Sequence, residues 1–201
     1  MPSFKNALLA ASFLIAGFTS QSIAAQKTAI FAGGCFWCIE KDFEHVNGVI
    51  EVVSGYTGGE KKNPTYRSHE GHREAVKITF DDSKVSYDQL LSIFWRTVDP
   101  TDAGGQFCDR GHAYTTAVYA VDGAQLETAQ KSKKSAAKAL GQAIVSPIEM
   151  ASFWTDAEGY HQNYYKKNPV RYKYYRYRCG RNQRVEALWG EQAYKGVNHG
   201  S

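Results

Sequence analysis

Short apolar segments typical of strands alternate with amphipathic segments typical of helices along residues 28–167, and the second and third strands follow each other directly. The predicted order is β-α-β-β-α-β-α-β-α. A β-α-β-β-α-β series is typical of a ferredoxin-like core, in which a split β-α-β unit forms a mixed sheet covered by helices. We therefore expect an α+β fold, a two-layer α/β sandwich with a ferredoxin-like core and long loops. A doubly wound parallel sheet fits less well, because two strands are consecutive.

The element boundaries follow from periodicity and from capping residues. Ser86 and Gln89 have the spacing of a capping box, Gly141 stands where a helix C′ residue belongs, and Pro169 is expected to end the last helix. The strands are predicted at 28–32, 49–56, 74–80, 115–121 and 143–149 and the helices at 35–46, 87–97, 124–140 and 156–167.

The N-terminal 25 residues are expected to lie outside the folded domain. Lys5 is followed by an apolar run that reaches Phe18 and then by small residues that end at Ala25. This is the pattern of a cleavable secretory signal peptide. A membrane anchor or a buried helix is the alternative, but the run is short for a membrane span. We expect residues 26–201 to form a single domain that is exported, to the periplasm, and that works as a monomer.

The C-terminal segment, about 169–201, is basic and rich in tyrosine. Between Gly159 and Val185 the sequence has eight Lys and Arg residues, seven tyrosines and no acidic residue. In an intracellular protein this pattern favours nucleic-acid binding, but export argues against such a partner. A solvated or acid-paired segment is expected, with no strong periodicity after Pro169.

The predicted domain contains four cysteines, namely Cys35, Cys38, Cys108 and Cys179. In an exported protein the ordinary interpretation is two structural disulfides. Cys35 argues against it, because it follows a strand and two glycines and opens a helix, where free backbone N–H groups favour a thiolate. A zinc site built from the cysteines with His69, His72 and His112 lacks paired ligand spacing, so no metal is expected.

Glu74 lies on the predicted third strand with the same parity as Val76, Ile78 and Phe80. It therefore points to the face that those residues bury. Burial disfavours the charged form of a carboxyl and raises its pKa, which makes Glu74 a candidate general acid. A frayed strand end with Glu74 in water is the alternative.

These residues belong to a series of short motifs that run in order through nearly the whole predicted domain. The motifs are Gly34-Cys35-Phe36-Trp37 with Glu40, Gly55-Tyr56-Thr57-Gly58-Gly59, Asn63-Pro64-Thr65-Tyr66, Gly71-His72-Arg73-Glu74, Phe94-Trp95 with Asp99-Pro100, Asp109-Arg110-Gly111 with Tyr114, and Lys167-Asn168-Pro169. The series resembles the signature motifs of the A-type peptide methionine sulfoxide reductases.

The resemblance implies that Cys35 is the nucleophile and Glu74 the acid on the sulfoxide oxygen of oxidised methionine. It also implies that Tyr66 and Tyr114 donate hydrogen bonds to that oxygen and that Asp109 orients the substrate. Phe36 and Trp37 are then expected to hold the substrate's methyl group. The family uses no bound cofactor, so an external thiol, a thioredoxin-like protein or dithiothreitol, is expected to restore the enzyme.

The resolving thiol converts the Cys35 sulfenic acid into a disulfide. The residues alone do not decide whether it is Cys38, Cys108 or Cys179. In the family it usually follows the Lys-Asn-Pro segment, so the resemblance favours a Cys35–Cys179 disulfide after one turnover. The chain departs from the common pattern at Cys108 and in its Tyr/Arg-rich C-terminal segment.

Two other functions fit parts of the sequence. A thioredoxin-like dithiol oxidoreductase built on the Cys35–Cys38 pair would act on protein disulfides. A secreted binding module with two structural disulfides would leave Glu74 and Asp109 without a role. Reduction of methionine sulfoxide in the presence of dithiothreitol distinguishes the three.

Overall fold

The computed structural model describes residues 25–198, so the predicted signal peptide lies almost entirely outside the described residues. Strands alternate with helices as the sequence analysis expects. The strands are β1 Gln26–Gly33, β2 Val49–Thr57, β3 Arg73–Asp81, β4 Gly105–Gln106, β5 Asp109–Arg110, β6 Thr116–Ala120, β7 Ile148–Met150 and β8 Trp154–Asp156. The α-helices are α1 Phe36–Glu44, α2 Tyr87–Trp95, α3 Gly123–Leu140, α4 Tyr164–Lys167, α5 Pro169–Arg178 and α6 Arg181–Trp189.

Six of the strands form one mixed sheet in the order β7-β6-β1-β3-β2-β8. Both β1 and β2 pair antiparallel with β3, which lies between them, and β6 pairs antiparallel with the other edge of β1. Because α1 connects β1 to β2, these elements form a split β-α-β unit. The α+β prediction is confirmed, and the strand order β6-β1-β3-β2 does not conflict with a ferredoxin-like core; β7 and β8 extend the sheet at its two edges.

The main core lies between the sheet and the helices. Phe31 of β1 packs against Phe43 of α1 and Phe94 of α2, with ring centroids 5.5 and 4.9 Å apart. On β3 the side chains of Val76, Ile78 and Phe80 are fully buried in the same cluster. The opposite face of the sheet buries a smaller set of residues, against which Ala151 and Trp154 pack. The alternation of side chains along β3 therefore directs one set toward the helices, as expected.

Local sequence signals fix the ends of two helices. The Ser86 hydroxyl accepts from the Gln89 backbone N–H, and the Gln89 side chain accepts from the Ser86 backbone N–H, which is the predicted capping box. Helix α3 ends at Gly141, whose left-handed conformation (φ 67°) terminates it as predicted.

Three predictions for the second half of the chain are wrong. The strand predicted at 143–149 begins only at Ile148, as the three-residue strand β7. The helix predicted at 156–167 is replaced by strand β8, an irregular segment and the four-residue helix α4. The segment after Pro169 is not irregular but forms the two helices α5 and α6.

The predicted helix end before Pro169 is correct, because α4 ends at Lys167. Pro169 itself occupies the first turn of the next helix, α5, where a missing N–H costs nothing.

Helices α5 and α6 are held by a buried charge cluster as well as by a few apolar contacts, among them Val185 and Trp189 of α6 in the main core. Arg176 of α5 forms an ion pair with Asp42 of α1, with 2.9 Å between Nη1 and Oδ1. Arg181 of α6 lies 4.0 Å from Asp42 and donates to the carbonyl oxygens of Gly33 and Thr97. The C-terminal basic segment is thus partly acid-paired, and it is packed against the helix that follows Cys35.

Within residues 25–198, the helices are too short or too polar to cross a lipid bilayer.

Candidate active site

Cys35 lies at the junction where β1 ends and α1 begins. Two glycines precede it, and both are required by close packing. Gly34 has φ +82°, and a Cβ there would lie 2.6 Å from Cβ of Gln106. A Cβ on Gly33 would lie 2.5 Å from Cδ1 of Ile39. The tight turn places the thiol at the N-cap of α1, where it is 5% exposed.

Cys35 and Cys38 are free thiols that share a hydrogen bond. Burial, and then the hydrogen bond to Cys38, raise the pKa of Cys35. The hydrogen bond from Cys35 and the positive charges of Arg181 and Arg176 lower the pKa of Cys38. Burial therefore opposes the thiolate that the helix N-terminus is expected to favour at Cys35.

Glu74 lies opposite the nucleophile on β3 and is 1% exposed, as its parity predicts. Its Oε2 accepts the backbone N–H of Phe36 at 3.0 Å. Burial raises the pKa of Glu74 to about 8, and the charge of Asp109 adds to this shift, whereas the Phe36 hydrogen bond opposes it. Glu74 therefore holds a proton at neutral pH and is able to act as an acid.

One cavity brings together the predicted nucleophile, the acid and all five predicted substrate contacts. Its volume of about 50 Å³ is room for about three to five water molecules, similar to a methyl sulfoxide group. The cavity is lined by Cys35, Phe36, Trp37, Tyr66, Glu74, Asp109, Tyr114 and Tyr175.

The hydroxyls of Tyr66 and Tyr114 and the carboxyl of Asp109 can each hold a proton with which to bind a polar oxygen in the cavity. Burial, followed by the charge of Glu74, raises the pKa of both Tyr66 and Tyr114, so both hydroxyls are donors at neutral pH. Burial also raises the pKa of Asp109. Asp109 is placed by the short β4–β5 hairpin, in which it pairs with Gln106.

Sequence reasoning missed several residues that shape the cavity. Trp37 donates from Nε1 to Nδ1 of His161 at 3.1 Å and stacks on Tyr164 with ring centroids 3.7 Å apart. Glu158 accepts the backbone N–H of Tyr66 at 3.0 Å. Tyr175 of α5 lies in the cavity wall. His161 is 124 positions from Trp37 and Glu158 is 92 positions from Tyr66 in the sequence. Tyr164 and Tyr175 belong to the segment whose helices were predicted incorrectly. No local sequence pattern therefore indicates these residues.

The other two cysteines are bonded to each other. A disulfide joins Cys108, on the β4–β5 hairpin, to Cys179 at the C-terminal end of α5, with 4.8 Å between their Cα atoms. Neither sulfur lines the cavity. The interpretation with two structural disulfides is wrong, because Cys35 and Cys38 are free.

Histidine residues near the site have structural partners. The ring of His72 is hydrogen-bonded to the Gly59 N–H and to the Lys61 carbonyl, and the ring of His112 to the Gly71 carbonyl. Among residues 25–198, three metal-capable side chains gather at Cys108, Asp109 and Cys179, where the two sulfurs are already joined.

Comparison with known proteins agrees with this site. The family model described as "Peptide methionine sulfoxide reductase" matches residues 27–193. The chain is 53% identical over 178 residues to peptide methionine sulfoxide reductase MsrA 2 of Rhizobium meliloti, covering 88% of this chain and 90% of that protein. The corresponding values for MsrA 2 of Caulobacter vibrioides are 49% over 190 residues, 91% and 96%.

A solved structure gives the same result. Methionine sulfoxide reductase A of Corynebacterium diphtheriae superposes with a TM-score of 0.69 at 30% identity, covering 72% of this chain and 76% of that chain.

The fold and the site, in which a buried cysteine thiol and a protonated carboxyl share one cavity, define a thiol-dependent oxidoreductase. The chain belongs to the peptide methionine sulfoxide reductase family, of the MsrA type. It reduces the S epimer of methionine sulfoxide in proteins and peptides. The thioredoxin-like interpretation of the Cys35–Cys38 pair is thereby set aside.

Proposed function

We propose that the enzyme repairs oxidised exported proteins, through a sulfenic acid on Cys35 and an intramolecular disulfide. The observation that carries the mechanism is the single small cavity in which the Cys35 thiol and the protonated, buried Glu74 face the same space. A reaction that needs attack on sulfur and proton delivery to oxygen is suited to this pair.

In the first step, the methyl group of the oxidised methionine packs against Phe36 and Trp37, and its oxygen accepts hydrogen bonds from Tyr66 and Tyr114. Cys35 gives its proton to its hydrogen-bond partner Cys38 and attacks the sulfoxide sulfur. Glu74 protonates the oxygen, because a bare oxide is a poor group to transfer. The hydroxyl then moves to the Cys35 sulfur: an S–O bond to Cys35 forms, the substrate S–O bond and the transient bond between the two sulfurs break, methionine leaves, and Cys35 is left as a sulfenic acid.

In the second step, Cys38 is the proposed resolving thiol. It is free and hydrogen-bonded to Cys35, whereas Cys179 is bonded to Cys108. Its sulfur attacks the Cys35 sulfur, a disulfide forms, and the hydroxyl leaves as water. The Cys35–Cys179 disulfide favoured by family similarity stays a prediction, and it first requires that the Cys108–Cys179 bond be opened.

In the third step, an external dithiol reopens the disulfide by thiol exchange and is itself oxidised. A thioredoxin-like protein is the proposed partner, and dithiothreitol is its substitute in an assay. No bound cofactor takes part in these steps, since the electrons come from the dithiol.

Export to the periplasm, with cleavage after Ala25, is also proposed. The N-terminal pattern and the Cys108–Cys179 disulfide support it, because disulfides persist in oxidising compartments. Expression of the full chain in a Gram-negative host followed by fractionation tests the proposal. We expect periplasmic protein whose first residue is Gln26. Cytoplasmic protein with an intact N-terminus contradicts it.

The enzymatic proposal is tested with a peptide that contains racemic methionine sulfoxide, in the presence of dithiothreitol. We expect consumption to stop when about half of the substrate remains, as the unreacted R epimer, and we expect trapping with dimedone in the Cys38→Ser variant to label Cys35. Complete consumption contradicts epimer selectivity. Absence of the Cys35 adduct in a variant that still releases methionine contradicts the sulfenic acid.

A further inference from the structure

Tyr175 contacts three functional groups of the cavity, although no motif of the series contains it. Its hydroxyl donates to Oδ2 of Asp109, and the residue lines the same cavity as Cys35 and packs against the cluster that contains Cys35 and Cys38. Its ring packs edge-on against Trp37, with centroids 5.9 Å apart and an interplanar angle of 80°. Tyr175 therefore touches the nucleophile, the orienting carboxyl and one wall of the methyl-binding pocket.

The hydroxyl of Tyr175 has one proton and faces two acceptors. Burial, and then the charges of Cys35, Cys38 and Asp109, raise the pKa of Tyr175, so the phenol stays protonated. The proton is directed to Asp109 in the resting site. When Cys35 loses its proton for attack, the same hydroxyl favours the new negative charge, and a hydrogen bond to a charged group is roughly twice as strong as a neutral one.

A covalent link runs beside this hydrogen bond. Cys108 directly precedes Asp109, and Cys179 follows Tyr175 by one helical turn. The Cys108–Cys179 disulfide thus joins the same two elements, the β4–β5 hairpin and α5, that the hydrogen bond from Tyr175 to Asp109 joins. The disulfide limits how far α5 can move from the hairpin. Cys108 is exposed, so an external thiol has access to this bond.

We propose that Tyr175 is a further catalytic residue, which orients Asp109 and donates to the sulfur of Cys35 during attack, and that the Cys108–Cys179 disulfide positions it. The inference rests on the proposed function, because the attack concerned is the one that releases methionine. It gives Cys108 and Cys179 a role that does not require either of them to resolve the sulfenic acid.

The Cys35 thiol has titratable neighbours on every element packed against it, and their contributions must be separated from that of Tyr175. They are Cys38 from α1, Glu74 from β3, Tyr66 from the β2–β3 loop, Asp109 from β5, Tyr114 from the turn before β6 and Tyr175 from α5. A variant that changes the Tyr175 hydroxyl alone leaves the other groups in place.

The first test compares Tyr175→Phe with the matched control Tyr174→Phe, whose exposed ring is one residue away on the same helix. Single-turnover release of methionine is measured without an external thiol, so that the Cys108–Cys179 disulfide stays closed. We expect release to slow roughly 10- to 100-fold in Tyr175→Phe, the range for loss of a charged hydrogen bond, and to be unchanged in Tyr174→Phe. Equal rates in the two variants overturn the proposal.

A second measurement separates a hydrogen bond from packing. The pH dependence of Cys35 alkylation by iodoacetamide, located by mass spectrometry, is followed without sulfoxide. Loss of the donor moves the midpoint to higher pH, whereas simple opening of the cavity to water moves it to lower pH, because burial is the largest cause of the raised pKa of Cys35. An upward shift in Tyr175→Phe supports the proposal, and an unchanged or lower midpoint overturns it.

This alkylation result does not depend on the substrate. If wild-type enzyme releases no methionine, the proposed function fails, while the contact between Tyr175 and Cys35 is still tested.

The role of the disulfide is tested with the double variant Cys108→Ser/Cys179→Ser. We expect slower single-turnover release, smaller in effect than Tyr175→Phe, and little additional loss when Tyr175→Phe is combined with it, since both act through the same hydroxyl. Release of methionine precedes resolution, so loss of a resolving thiol alone leaves this rate unchanged. If the double variant releases methionine at the wild-type rate, or if its effect and that of Tyr175→Phe add in full, the disulfide does not position Tyr175.

Discussion

The carboxyl of Glu74 accepts the backbone N–H of Phe36 at 3.0 Å, so the acid on β3 is bonded to the first residue of the helix that Cys35 opens. This bond satisfies one of the free N–H groups at the start of α1, and it fixes the position of the acid relative to the nucleophile. Burial raises the pKa of both Cys35 and Glu74, which favours their protonated forms in the resting enzyme.

We expect Glu74→Gln to slow single-turnover methionine release by roughly 10²–10⁴-fold, because the amide keeps the shape and the acceptor for Phe36 but has no proton to transfer. Binding of the substrate is expected to change little. The matched control is Glu70→Gln, the same substitution at an exposed residue on the loop before β3. Equal release rates in wild type and Glu74→Gln exclude Glu74 as the acid.

The pKa of Glu74 also predicts a pH dependence of stability. The folded-state pKa is about 8, whereas an unfolded glutamate titrates near 4.3. Between these values the folded protein binds more protons than the unfolded chain, so the stabilising contribution is present at low pH and is lost as pH rises toward 8. The free energy of unfolding of wild type relative to Glu74→Gln is expected to fall by up to roughly 1.4 kcal/mol per pH unit.

Urea unfolding at pH 5.5, 6.5 and 7.5 under non-reducing conditions measures this difference. Glu70→Gln serves again as the control, and its difference from wild type is expected to stay flat, since the Glu70 side chain is exposed. A flat difference for Glu74→Gln as well contradicts the raised pKa.

The position of Glu74 could be predicted because it follows from local alternation. Glu74 lies two positions before Val76 on the same strand, so the two side chains point to the same face of the sheet. This relation does not depend on the rest of the fold. The capping box at Ser86 and the helix end at Gly141 are likewise encoded within four residues. Features of this kind need no knowledge of the tertiary structure.

The C-terminal helices could not be predicted in the same way. Two of their five buried side chains are arginines, whose burial is stabilised by Asp42, 134 residues from Arg176. A sequence rich in Arg and Tyr has no apolar stripe, so hydrophobic periodicity gives no signal. Tyr175 was missed for the same reason, since its place in the cavity depends on the packing of α5 against α1 and the β4–β5 hairpin.

The buried charge cluster predicts a strong effect at Asp42. We expect Asp42→Asn to lower the free energy of unfolding by about 3–5 kcal/mol, because Arg176 and Arg181 are left buried without a charged partner. The control is Asp82→Asn, which breaks a partly exposed ion pair with Lys27 and is expected to cost about 1 kcal/mol or less. The free energy of unfolding of wild type and of the two variants is measured by urea unfolding. Similar losses of stability in Asp42→Asn and Asp82→Asn contradict a stabilising role of the buried charge cluster.

We expect Cys35→Ser to abolish reduction while the protein stays folded, because a hydroxyl at a helix N-cap replaces the thiol with little change in volume and almost none of its nucleophilicity. Cys108→Ser is the matched control, since Cys108 carries the same substitution outside the cavity and should keep measurable methionine release. Turnover by Cys35→Ser comparable to wild type contradicts the assignment of the nucleophile.

The identity of the resolving thiol distinguishes two expectations. Family similarity favours Cys179, whereas the structure favours Cys38. Cys35 and Cys38 are three residues apart across one helical turn, and both are free and hydrogen-bonded to each other. Cys179 is already consumed in a bond to Cys108. We therefore expect one equivalent of methionine sulfoxide, added without external thiol, to yield a Cys35–Cys38 disulfide beside an unchanged Cys108–Cys179 disulfide.

Non-reducing peptide mapping after that single turnover identifies the linkage, with Cys38→Ser as the variant in which the sulfenic acid should persist. A Cys35–Cys179 linkage in wild type, with Cys38 joined to Cys108, means that Cys38 opens the Cys108–Cys179 bond by exchange and that the released Cys179 thiol attacks the sulfenic acid with loss of water. In that case the expectation from family similarity is correct, and α5 must move toward Cys35 during each catalytic cycle, because neither sulfur of the disulfide lines the cavity in the resting enzyme.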